Sequence, residues 1–308
     1  MPQARLHDGS AIEVQVHGEG PALLLPVNPR PVQGPQAEEL RRWGNDPALG
    51  RLLIDGLKDA FRVVAFDYEG QVLATPKPDT LIPDNLARDF LAIADSAGAD
   101  RFAWYGYSWL AVAGLQLAIR TDRVSALVMG AWPPIDGPYA EMLRVTTATH
   151  RMATQPRDPA APASAPAAPD ELDWSSVEVT LSEAQTRQFV TLYQALQGFD
   201  DRAAQARLAC PRLCFAGAAD EIDYGERWGG VRVRLARPLL ERRAELESYG
   251  WEVRALDGLD HTQAMQATAA LPILRPWLTA ALATSPTRAA APTTSQAKST
   301  VSSLRPVQ

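Results

Sequence analysis

Short, nearly continuous apolar runs alternate along the chain with stretches of helical rhythm. Residues 22–25, 61–66, 102–105, 124–129, 213–216 and 251–256 are runs of four to six residues rich in leucine, valine and aromatics. Such runs suit strands buried on both faces. Between them, Leu49, Leu52, Leu53 and Leu57 recur at helical spacing, as do Leu86, Phe90, Leu91 and Ile93, and then Leu110, Ala113, Leu117 and Ala118. The pattern predicts helices over 47–60, 85–97 and 109–120, with further helices at 141–152, 182–196, 233–249 and 271–282. Residues 4–18 read as two alternating runs around Asp8-Gly9, a hairpin signal. Strand–helix alternation from 22 to 130 predicts an α/β fold, a mostly parallel sheet with helices on both faces.

The rhythm breaks in three places. Pro26, Pro29 and Pro31 hold the loop after the 22–25 run extended, with Asn28 inside it. Residues 71–83 read as a second proline-punctuated loop. After Trp132 the alternation lapses until about 205, so residues 133–204 are expected to be a helical cap inserted into a core of 1–132 and 205–283. Such a cap would shield a reaction from water and shape its pocket; a surface insertion remote from any substrate is the plainer alternative. The Pro/Ala-rich stretch 154–169 and the tail 284–308 have too few large apolar residues to pack, and disorder is expected there. No internal repeat is visible.

Composition narrows the class. A chain of 308 residues, 46% apolar, can bury one large α/β domain with an insertion. A net charge of −6 argues for a soluble protein and against nucleic acid as main partner. No apolar run reaches the length of a membrane span, and residues 1–14 hold no apolar signal core, so a cytoplasmic location is expected. Cys210 and Cys214, four apart at a strand, suit reduced packed thiols better than a disulfide. His7, His17, His150 and His261 show no metal-pair spacing, so no metal is expected.

The candidate chemistry lies at strand ends. Gly106-Tyr107-Ser108 stands between the 102–105 strand and the next helix. A serine at such a corner is lifted above the sheet edge, with the helix N-terminus aimed at whatever the hydroxyl attacks. It also suits an ordinary helix cap. Asp220 follows the strand at 213–216, and His261 follows the strand at 251–256. A serine hydroxyl needs an imidazole to take its proton, and the imidazole needs a carboxylate on its other nitrogen. Singly, His261 also reads as a surface histidine after a turn. Asp67, in Asp67-Tyr68-Glu69-Gly70, reads as a loop-holding residue.

These residues resemble the α/β-hydrolases. Gly106 and Ser108 match the Gly-x-Ser-x-Gly nucleophile elbow, with Leu110 in place of the second glycine. The order Ser108, Asp220, His261 is that family's order of nucleophile, acid and base. The resemblance implies a serine hydrolase acting without metal or organic cofactor on a small-molecule acyl substrate: an ester, thioester or related bond, cleaved through an acyl-enzyme. It implies oxyanion donors at the backbone of Trp109 and Asn28, where Pro26 and Val27 replace the usual His-Gly. Asp223 and Asp136 are reserve acids. Leu110 requires small neighbours or a slightly opened turn. Carbon–carbon bond hydrolysis, cofactor-free peroxidase-like chemistry, or a silent binding protein on the same scaffold are the rival readings.

Overall fold

The computed structural model describes residues 2–155 and 179–283. The tail 284–308 and all but the first two residues of the Pro/Ala-rich stretch lie outside them. Strands β1 (Gln3–Arg5) and β2 (Ala11–Glu13) form the expected hairpin. β3 (Gln15–His17) leaves it to run antiparallel, in the main sheet, to the strand at 62–65. The first half of the core then runs β4 (Ala22–Leu25), α1 (Pro35–Arg42), α2 (Leu49–Leu57), β5 (Arg62–Ala65), α3 (Tyr68–Ala74), α4 (Pro83–Ser96), β6 (Phe102–Tyr107), α5 (Trp109–Ala118) and β7 (Val124–Gly130). The insertion carries α6 (Tyr139–Thr154), α7 (Glu183–Ala195) and α8 (Asp201–Gln205). The second half runs β8 (Arg212–Gly217), β9 (Glu221–Tyr224), β10 (Val231–Arg234), α9 (Ala236–Glu241), α10 (Arg243–Ser248), β11 (Trp251–Leu256), α11 (His261–Met265) and α12 (Ala267–Ala283).

Seven strands form the main sheet in the order β11-β8-β7-β6-β4-β5-β3, all parallel except β3. Side chains alternate across it. On β6, Phe102 and Trp104 enter the core shared with α4 and α5, while Ala103 and Tyr105 enter the one shared with α2 and α12. Trp104 packs its ring on Phe90 at 4.5 Å and Phe66 at 6.4 Å. Every residue of α5 is buried, so this helix is apolar all round rather than striped. That burial holds its N-terminus rigidly at the carboxyl edge of the sheet, where ligands of such sheets bind.

Several elements escaped the hydrophobic pattern. Helix α3 occupies 68–74, where the sequence reads as a turn and a proline loop; its buried Tyr68 and Val72 form it. Residues 233–249 are not one helix. Val233 and Arg234 end a hairpin, β9–β10, and α9 and α10 follow as separate short helices. On β10, Val231 and Val233 are buried and Arg232 and Arg234 exposed, a two-residue period that the charged stretch obscured. Helices α1, α8 and α11 were not foreseen. Cys210 and Cys214 are both free thiols, and burial raises the pKa of each.

The elbow is tight. A Cβ on Gly106 would lie 2.2 Å from the Leu110 carbonyl oxygen and 2.7 Å from the Trp104 indole nitrogen. Gly114, one turn on in α5, makes room for the same ring, since a Cβ there would lie 2.1 Å from that indole nitrogen. A Gly106→Ala variant is expected to lose about 1–3 kcal/mol, since a backbone carbonyl cannot step aside as a flexible side chain can. Urea denaturation measures this; an unchanged midpoint would mean that strand and helix have room to spare.

Candidate active site

Ser108 sits at the corner between β6 and α5 with φ 56° and ψ −127°. A positive φ is strained for any residue with a Cβ, and such strain persists only where the surroundings enforce it. They do so here: the Ser108 amide donates to the Gly130 carbonyl at 2.8 Å, and the Ser108 carbonyl accepts from Ala111 at 2.9 Å. Its side chain makes no capping hydrogen bond to α5, so the plain role of helix cap does not fit.

Asp220 lies three residues beyond the end of β8 and is 1% exposed. Its carboxylate oxygens stand 2.9 and 3.1 Å from Nδ1 of His261. The β9–β10 hairpin leaves the core directly after Asp220 and returns to it, because the Asp220 carbonyl accepts from Leu235 and Ala236 at 3.1 Å each. The 41-position separation of acid and imidazole therefore spans an outlying hairpin and two short helices, without displacing either end.

His261 is the first residue of α11, capped by Asp260 through a box with Gln263. Tyr107 holds it from the other side. The Tyr107 hydroxyl donates to the His261 carbonyl at 2.7 Å, and the two rings meet edge-on at 5.3 Å. Burial, with Asp220 adding to it, raises the Tyr107 pKa, keeping the phenol a donor. Nothing in the local pattern signals this role beyond the place of Tyr107 next to Ser108.

Ser108 and His261 border one cavity of about 540 Å³. No hydrogen bond joins them among the described residues. Such bonds are commonly long in an unliganded site and tighten around substrate. Trp109 and Asn28, the expected oxyanion donors, border the same cavity. The neighbouring amide of Val27 is spent on the Leu25 carbonyl at 2.9 Å. An Asx turn fixes the Asn28 loop, its side chain accepting from the Arg30 amide at 3.0 Å.

The reserve acids are engaged elsewhere. Asp136 is clamped by Arg202 and Arg242, and Asp223 pairs with Arg232 across the hairpin. Asp67 has the structural task expected of it, accepting from Gly70 at 2.9 Å as the cap of α3. Trp104 and Trp132 are core residues, whereas Trp109 borders the cavity.

Among the described residues, none of 133–204 borders the cavity; Val32, Leu40, Asn45, Pro47 and Leu49, between β4 and α2, do. The cap touches it indirectly, Phe189 of α7 packing edge-on against the Trp109 ring at 5.6 Å. Among the described residues there is no cluster of metal-ligating side chains, and no helix is long and apolar enough to cross a membrane.

No family model and no curated protein matches the chain. Solved structures do. An esterase from Thermogutta terrifontis superposes with a TM-score of 0.57 at 17% identity, covering 91% of this chain and 98% of that one. An enol-lactonase from Burkholderia xenovorans superposes at 0.56 and 19% identity, covering 90% of this chain and 100% of its own. A carboxylesterase from Nitrososphaera gargenis superposes at 0.56 and 16% identity, covering 92% and 99%. With a mostly parallel sheet flanked by helices on both faces and a helical insertion after β7, the chain has the α/β-hydrolase fold.

Proposed function

We propose that the protein is a serine hydrolase that cleaves an ester, thioester or related acyl bond of a small molecule. The observation that carries this reading is the pairing of His261 Nδ1 with the buried Asp220 carboxylate at 2.9 Å, its ring bordering the cavity that holds Ser108. In this mechanism His261 Nε2 takes the Ser108 proton as the oxygen adds to the substrate carbonyl. Asp220 holds the Nδ1–H tautomer and stabilises the imidazolium. The backbone amides of Trp109 and Asn28 receive the oxyanion. His261 then protonates the leaving group, and water, deprotonated by the same ring, releases the acid from Ser108. The chemistry asks for no metal or organic cofactor. The hydrolase core is then 1–132 and 205–283, with 133–204 as its cap, acting in the cytoplasm.

Treatment with a fluorophosphonate probe tests the nucleophile. The expected result is one covalent adduct, mapped by mass spectrometry to the peptide containing Ser108 and absent after heat denaturation. A folded protein that stays unlabelled would favour the silent binding protein. Labelling elsewhere would remove Ser108 from the mechanism. The esterase and lactonase activities of the superposed structures agree with acyl-bond cleavage.

A further inference from the structure

The chemistry above needs Ser108, His261 and Asp220 at fixed distances, and the fold ties them in different ways. Acid and base are tied twice. Asp220 meets the imidazole directly, and the backbones that carry the two are joined, the Ala219 amide donating to the Leu259 carbonyl at 3.0 Å. Those segments run so close that a Cβ on Gly217 would lie 2.2 Å from the same carbonyl oxygen. Neither contact sets where the imidazole lies relative to Ser108. The carboxylate holds Nδ1 alone, and α11 is five residues long, closed by its own Asp260–Gln263 box.

The tie to the nucleophile comes from Tyr107. This residue precedes Ser108 at the end of β6, and its hydroxyl donates to the carbonyl of His261 itself at 2.7 Å. Among the described residues no other hydrogen bond joins β6 or the elbow to α11. The phenol ring is held as well. It meets the imidazole edge-on, and Phe215 flanks it with ring centres 6.1 Å apart. Room for the ring exists because residue 130 has no side chain: a Cβ on Gly130 would lie 2.4 Å from its Cδ2 atom. The Gly130 carbonyl also accepts from the Ser108 amide at 2.8 Å, so one stretch of β7 supports both the serine and the phenol. A phenol that only filled space could end its hydroxyl on any acceptor. This one is spent on the peptide group of the base, from the strand that delivers the nucleophile.

We propose that Tyr107 is a positioning residue, its hydroxyl setting the distance at which the His261 imidazole meets the Ser108 oxygen. This rests on the hydrolase reading and adds to it a residue outside the set of Ser108, Asp220 and His261. Tyr107 carries no proton in the reaction and acts through the backbone of the base. Proton transfer weakens steeply once a base leaves hydrogen-bond reach.

Inactivation by a fluorophosphonate at several concentrations tests it, because it separates kinact, the rate constant for phosphonylating the serine, from KI, the binding constant. Tyr107→Phe keeps the ring and deletes the hydroxyl. Its kinact is expected to fall about ten- to hundredfold with KI little changed, since that hydroxyl is committed to a backbone carbonyl rather than to the cavity. A purely structural role would lower the denaturation midpoint and leave kinact of the folded protein alone. That outcome, or a rise in KI at unchanged kinact, overturns the proposal. Should Tyr107→Phe fail to fold, Gly130→Ala decides by the same criterion, since it keeps the hydroxyl and displaces the ring. A folded wild type that takes no label sinks the hydrolase reading and this inference with it. A labelled wild type matched in kinact by Tyr107→Phe sinks this inference alone.

Discussion

A Ser108→Ala variant is expected to lose about six orders of magnitude in kcat on any substrate the wild type turns over, and Asp220→Asn about four. The inequality follows from the roles. Without the hydroxyl there is nothing to acylate, and only the oxyanion donors and binding remain. Asparagine at 220 keeps the volume and a hydrogen bond, but its amide favours the wrong tautomer of His261, so the base turns its N–H towards the serine. Because Asp220 is buried against His261 and makes no contact with the cavity, KM should change far less than kcat in Asp220→Asn. Asp136→Asn and Asp223→Asn supply the controls. Their carboxylates are committed to Arg202, Arg242 and Arg232, so kcat should hold within a few-fold. If Asp223→Asn fell as far as Asp220→Asn, the acid would have been misassigned. If Ser108→Ala kept a tenth of the activity, the triad would be wrong altogether.

The residues that made this site legible are those whose types chemistry dictates and whose positions strands fix. Ser108, Asp220 and His261 each follow a continuous apolar run, and such runs place their ends along one edge of a parallel sheet whatever lies between. The intervening β9–β10 hairpin therefore misled the secondary-structure reading without spoiling the site. What stayed hidden depends on tertiary contacts that no local pattern carries. Helix α1 starts at Pro35 and buries Ala37 alone among its eight residues, so it shows no apolar stripe. Helix α3 is short and defined by the burial of Tyr68 and Val72, whereas its sequence offers a turn. Both lie in the 26–74 stretch beside the cavity. The cap was foreseen as helical, but its relation to the cavity follows from where the chain between β4 and α2 folds. Gly50 shows how closely: a Cβ there would lie 2.0 Å from the Asn28 carbonyl oxygen, so α2 presses directly on the loop of the expected oxyanion donor.

Removing Asp8 is expected to destabilise the fold by about 3–5 kcal/mol, although it sits in an ordinary surface hairpin. Its carboxylate pairs with the ammonium of Lys77, whose side chain is fully buried. Burial works against the Asp8 charge, but hydrogen bonds from Lys77 and Ser10 outweigh it and hold the pKa at about 2, below the ordinary 3.8. A depressed pKa in the folded state means stability that is present above the unfolded value and lost as pH falls through the folded one. Acid should therefore weaken the protein between about pH 4 and pH 2, this one carboxylate accounting for about 2 kcal/mol. Deleting the side chain costs more than protonating it, because Asp8→Ala leaves a buried ammonium with no anion. The double variant Asp8→Ala/Lys77→Met should accordingly recover most of the loss, since an apolar pair needs no compensation. The damage should also reach the cap. The Lys77 amide donates to Gln188 of α7 at 3.0 Å, and Gln188 donates in turn to the Val72 carbonyl at 3.0 Å. Faster hydrogen exchange along α7 in Asp8→Ala, reversed in the double variant, is the expected signature. Equal denaturation midpoints for the wild type and Asp8→Ala would show that Lys77 finds water or another partner, and that the hairpin does not anchor the cap.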